Sequence, residues 1–236
     1  MDIDSEAQEL FAYTREIRRD LHMHPELGFQ EFRTASIVAD ELIKANLAVE
    51  KNIGRTGIVG MLKGKFPGPT LLLRFDMDAL PIEEDTDVEY ASRNSGKMHA
   101  CGHDGHMAML LGAAKLLAEN RSKICGNIKF IFQPAEETPP GGALGMIKQG
   151  VLENPKVNAI FAFHLDSSLP SGKIGLRKGA MMGVMDVWHP DIIEFITAKQ
   201  QPGRLTKFNV SVNCTDEFMQ KVVNVLQLKE EKASDA

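Results

Sequence analysis

NIKFIFQPAEE, residues 127–137, runs from a short apolar and aromatic stretch directly into a glutamine, a proline and two adjacent acids. The run has the length and residue types of a buried strand, and the acids follow where such a strand would end. The same grammar recurs on either side. TLLLRF (70–75) runs into Asp76 and Asp78, and VNAIFAF (157–163) runs into His164 and Asp166. Between them HMAMLLGAAKLLAEN (106–120) has the length and Ala/Leu content of a helix, and ALGMIKQG (143–150) reads as a shorter one closed by Gly150. Strands alternating with helices predict an α/β fold whose sheet is buried on both faces. In such sheets sites form beyond the carboxyl ends of the strands. Three strands are therefore expected to deliver metal-ligand or acid/base groups to one edge.

Further out, IVGML (58–62) and TLLLRF flank the Gly/Pro-rich link KGKFPGP and read as neighbouring strands. Leu10, Ile17 and Leu21 predict an N-terminal amphipathic helix ending near Pro25 and Gly28, and Phe32 to Ile43 predict a second. His22 and His24 read as part of the first helix's exit.

Composition narrows the function classes. The chain has 236 residues, 43% of them hydrophobic, enough for a substantial core. With 27 Lys+Arg against 32 Asp+Glu and no basic stripe with interleaved aromatics, nucleic acid is not expected as a partner. No apolar run approaches the ~20 residues of a membrane span, and the opening MDIDSEAQEL lacks a secretory pattern, so a cytoplasmic setting is expected. Cys101, Cys125 and Cys214 do not form a disulfide framework. Cys125 reads as a small buried hydrophobe, and the 12 methionines as core filler.

MHACGHDGH (98–106) holds three of the 7 histidines and one of the three cysteines. Cys101 and His103, two apart ahead of a helix, are either a buried thiol and a capping imidazole or metal ligands. With the strand-end acids and His164 they form a mixed S/N/O set, which suits zinc or another borderline divalent ion; a calcium or magnesium site would be built from oxygen. Glu136 and Glu137 are either a solvated acidic pair or, if one carboxylate holds metal, a ligand and a base that takes a proton from water whose pKa the ion has lowered. Asp76 and Asp78 either begin a loop before Pro81 or orient a ligand histidine from behind.

RRDLHMHPELGFQE, LLLRFDMDALPIEEDT, KMHACGHDGHMAMLLGAAKLLAE, NIKFIFQPAEE and AIFAFHLD, in this order, resemble the M20D metallopeptidases, the amidohydrolases that include hippurate hydrolase and the indole-acetyl-amino-acid hydrolases. The resemblance covers roughly residues 7–182. It implies a zinc-peptidase-like mixed sheet flanked by helices and a site for two divalent ions (zinc, or manganese or cobalt). In that site Cys101 bridges, His103, Glu137 and His164 are ligands, and Glu136 is the general base. The implied reaction cleaves the amide bond of an N-acyl amino acid or short peptide.

After GAMM the chain departs from this pattern. The resemblance implies a lid domain and a late histidine ligand, and neither follows, so the catalytic domain (1–182) is expected to be truncated. An unpaired sheet edge would then favour association of copies. Residues 180–223 instead resemble an internal piece of adenosylcobalamin-dependent ribonucleotide reductase, which sets 183–236 apart as a tail. In it HPDIIEFITAK and the segment from Thr215 predict helices and FNVSV a strand, without the cysteines that reductase chemistry requires. Two other readings of the whole chain are an inert chimera or interaction module, and a reductase fragment.

Overall fold

A computed structural model describes residues 3–165, 170, 172–175 and the strand backbones 181–186 and 208–213. The chain divides into two compact units, Met1–Asp166 and Ser167–Ala236. The first begins with helices α1 (Ile3–Glu9), α2 (Phe11–Met23) and α3 (Phe32–Lys44). Strands β1 (Ala48–Ile53), β2 (Gly57–Lys63) and β3 (Phe66–Asp76) follow, then α4 (His103–Glu119), β4 (Cys125–Gln133), α5 (Ala143–Lys148) and β5 (Ala159–Ala162). In the second unit β6 (Met181–Asp186) pairs in parallel with β7 (Phe208–Asn213), the strand expected at FNVSV. The two helices expected in the tail, and Asp166, lie outside the described residues. No helix among the described residues is long and apolar enough to cross a membrane.

The five strands of the first unit form one mixed sheet in the order β1-β2-β4-β3-β5. β3, β4 and β5 are parallel; β1 and β2 join as antiparallel strands. Pleating sends alternate side chains to opposite faces. Phe130 and Phe132 enter a core with Leu21, Val38, Leu42, Leu62, Met107, Leu110 and Leu111, while Ile131 enters a second cluster with Val59, Leu72, Met146 and Val151. α3 contributes Ala35, Val38, Ala39 and Leu42, and α4 contributes Met107, Leu110, Leu111 and Ala114. Both sets follow the i, i+3, i+4, i+7 spacing of a single buried stripe. Each large side chain so buried contributes about 1.5–3 kcal/mol.

Three expectations change. β2 and β3 are joined by only Gly64 and Lys65, yet β4 lies between them. Their backbones splay because β4 enters at Gly126, where a Cβ would sit 1.9 Å from the Pro69 carbonyl oxygen, and Gly64 N–H bonds to Gly126 O at 2.9 Å. Only bare backbone permits that approach, so the Gly/Pro-rich link opens a slot instead of closing a hairpin. Second, the sheet is not buried throughout. All four β5 residues, at the edge of the sheet, are exposed, whereas α3 and α4 pack on β1, β2, β3 and β4. Third, Cys125 is exposed at the start of β4, at the sheet's end and outside the core.

Candidate metal centre

Parallel pairing of β3, β4 and β5 sends their carboxyl ends to one edge, where Asp76 is in register with Gln133. Asp78 follows β3, Glu136 and Glu137 follow β4, and His164 follows β5. α4 starts at His103, one turn earlier than the expected His106, which puts His103 in the helix's first turn with Cys101 just ahead. All seven residues expected at the site therefore meet at one edge.

His103 is buried, and its Nδ1 lies 2.8 Å from the Asp78 carbonyl oxygen. A carbonyl only accepts, so Nδ1 carries a proton, and Nε2 is the nitrogen whose lone pair the neutral ring would offer a cation. That Nε2 is buried without a hydrogen-bond partner. It faces Asp76 Oδ1 at 3.5 Å and Glu137 Oε1 at 3.7 Å. Cys101 Sγ lies 3.4 Å from His164 Nε2. Donor atoms of Cys101, His103 and His164 fall within 4.8 Å of one another, as do those of His103, Glu136 and Glu137 and those of Asp76, His103 and His106. Glu136 is exposed and Glu137 half-buried, so the acids line the open side of the cluster.

The two aspartates stand behind it. Asp78 accepts the backbone N–H groups of Glu136 and Glu137, one on each carboxylate oxygen, both at 2.9 Å. Asp76 accepts from His106 Nδ1 at 2.6 Å and pairs with Arg74 at 3.0 Å. Burial pushes both carboxyls up. For Asp76 the His106 hydrogen bond outweighs this together with the charges of His103 and Arg74, and for Asp78 the His103 and amide hydrogen bonds do so, leaving both below the usual range. Burial also pushes the Cys101 thiol up to about 12, and the negative charges of Glu137, Asp76 and Glu136 add to it. A divalent cation fits this arrangement. It would engage the unpartnered His103 nitrogen, offset the crowded carboxylates and favour the thiolate, and the S, N and O donors together suit a borderline ion.

Two features lay outside the sequence reading. His106, wholly buried, bridges Asp76 and the strand-end segment: with Nδ1 donating to Asp76, its Nε2 accepts the Leu165 N–H at 2.9 Å. Its i+3 spacing from His103 on α4 was the available signal. His22 is more than a helix exit. It is buried, with Nδ1 2.9 Å from Asp104 and Nε2 3.2 Å from Glu84, which links α2 to α4 and to the loop after β3.

The model of peptidase family M20/M25/M40 matches residues 72–234. The chain belongs to this family. The match in this M20 chain runs past residue 183, where the sequence reading sets a tail apart. The chain is 46% identical over 188 residues to thermostable carboxypeptidase 1 of Saccharolobus solfataricus, covering 79% of this chain and 47% of that protein. It is 47% identical over 169 residues to the N-acyl-L-amino acid amidohydrolase of Geobacillus stearothermophilus, covering 72% of this chain and 45% of that protein. Among solved structures it resembles the YXEP protein of Bacillus subtilis, a dinuclear metal binding peptidase from the M20 family. That match has a TM-score of 0.69 at 41% identity, covering 74% of this chain and 49% of that one. The M20 chain thus spans about half the length of the curated relatives it matches.

Proposed function

We propose that the chain carries the metal-binding and proton-transfer groups of a metal-dependent amidohydrolase acting on N-acyl amino acids or short peptides, of the M20D type. The observation that carries this reading is the buried, unpartnered His103 Nε2, which faces Asp76 and Glu137 at strand ends and belongs to a donor cluster with Cys101 and His164. The amidohydrolase and dinuclear peptidase among its relatives support it. Cys101, His103, Glu137 and His164 would hold two divalent ions, zinc or else manganese or cobalt. When bound, the ions supply Lewis acidity to the scissile carbonyl and lower the pKa of water.

The protein's own groups do the rest. Glu136 takes the proton of the attacking water and hands it to the leaving nitrogen. Asp78 holds Glu136 and Glu137 by their amides and fixes the His103 tautomer through its carbonyl, while Asp76 orients His106. We assign all of this to residues 1–182. The metal-ligand clusters found among the described residues lie at or before residue 164. A cytoplasmic setting, a small-molecule substrate and association of copies through the exposed β5 edge complete the proposal.

The test is Glu136→Gln in a preparation whose metal content has been measured. Hydrolysis of an N-acyl amino acid should fall by about 10²–10⁴-fold with metal content unchanged. Hydrolysis at the parent rate would remove Glu136 from the mechanism.

A further inference from the structure

Glu31 is buried to 0% exposure at the foot of the loop that carries the two glutamates, and among the described residues no cation pairs with it. A buried carboxyl is costly unless its hydrogen bonds are met. Here Oε1 accepts the Ala135 N–H at 2.8 Å and Oε2 accepts the Thr56 hydroxyl at 2.5 Å. Ala135 itself has φ +46°, in the left-handed region that a residue with a Cβ rarely adopts. It is wholly buried, and its Cβ fills the space beside Gly28, where an added Cβ would lie 2.9 Å away.

Peptide groups are rigid planes, so pinning successive planes sets the dihedrals between them. The plane before Ala135 is held by Glu31 through the Ala135 N–H. The plane after it is held at both ends: the Ala135 carbonyl accepts Gly142 N–H at 3.2 Å, and Glu136 N–H donates to Asp78. The next is held by Glu137 N–H on Asp78. Glu31 is the only side chain among the described residues that pins the first plane, and without it Ala135 can rotate out of its strained conformation. We propose that Glu31 is a positioning residue, which holds Ala135 left-handed and thereby sets the direction in which Glu136 and Glu137 leave the β4 end. The consequence for hydrolysis rests on the roles proposed above for those two glutamates.

The experiment compares full-length Glu31→Ala, Glu31→Gln and Thr56→Val with the parent. Amide hydrogen exchange is measured on metal-free protein, then zinc affinity and steady-state hydrolysis. Glu31→Ala should lose about tenfold or more of the protection at residues 135–137 while the β4 and α4 amides keep theirs. Glu31→Gln retains an acceptor for the Ala135 N–H and should recover most of it. Thr56→Val leaves the Glu31 carboxyl in place but removes one of its hydrogen-bond anchors, and gives an intermediate loss even if Glu31→Ala fails to fold. Glu31→Ala should also weaken zinc binding or lower kcat by about tenfold, with KM little changed and with rescue by Gln. Unchanged protection at 135–137 in folded Glu31→Ala or in Thr56→Val, or a Gln variant as loose as the Ala variant, would overturn the proposal. A parent that binds no zinc and hydrolyses nothing would instead overturn the amidohydrolase reading, while the exchange data would still decide what Glu31 does.

Discussion

Asp78→Ala is the perturbation whose size follows most directly from the geometry. The residue is 1% exposed, and its carboxylate accepts two backbone N–H groups at 2.9 Å, from Glu136 and Glu137. Hydrogen bonds to a charged acceptor contribute about 1.5–3 kcal/mol each, and the orphaned amides are only partly reached by water, so the loss should be about 3–5 kcal/mol. That is a large share of the roughly 5–15 kcal/mol by which domains are stable. Asp78→Asn keeps one acceptor and turns an NH₂ toward the other amide, so about half the loss is expected. Neither change removes the Asp78 carbonyl, which therefore continues to hold His103 Nδ1. The defect should accordingly fall mainly on the two glutamates and leave the His103 tautomer in place, although the Asp78 carboxylate oxygen 3.5 Å from His103 Nδ1 is lost as well. Urea unfolding measures the stability loss, and competition with a chromophoric chelator measures zinc affinity. An Asp78→Ala protein with the parent's unfolding midpoint and the parent's zinc affinity would refute the idea that this carboxylate carries the loop.

Two further outcomes are expected. His106→Ala leaves the Leu165 amide without its acceptor and frees the segment bearing His164, so zinc affinity should drop about 10–100-fold, read by the same competition assay. The His22 imidazole is held above its ordinary pKa of 6.5, chiefly by its hydrogen bond to Asp104, against the lowering effect of burial, with Glu84 adding to the rise. A raised folded-state pKa means that its stabilisation is fully present below 6.5 and is lost as pH rises through the folded value. Thermal melts from about pH 6 to about pH 9 should therefore show a decline that His22→Gln flattens. A decline of equal depth in the variant would assign it to other groups.

Much of the scaffold was legible in the sequence for reasons that are local. Helix α3 was readable because Ala35, Val38, Ala39 and Leu42 recur at helical spacing, and β4 because NIKFIF is short, apolar and bounded by turn residues. β1 was not, since its mostly exposed AVEKNI lacks a buried pattern. Cys125 misled because a cysteine's usual burial says nothing about its place at the very start of a strand.

What the sequence by itself determined is the inventory of the site and the elements that carry it: a thiol, imidazoles and carboxylates, each placed just after a strand or just before a helix. Those signals span only a few residues, the range over which side-chain type and backbone period constrain each other. Only the tertiary structure decided that β4 separates β2 from β3, that His103 presents Nε2, and that Glu31 and Asp78 hold the amides of 135–137. These depend on contacts between residues 104 and 58 positions apart for Ala135 with Glu31 and Glu136 with Asp78. Such contacts follow from sheet order and register, which no local pattern encodes.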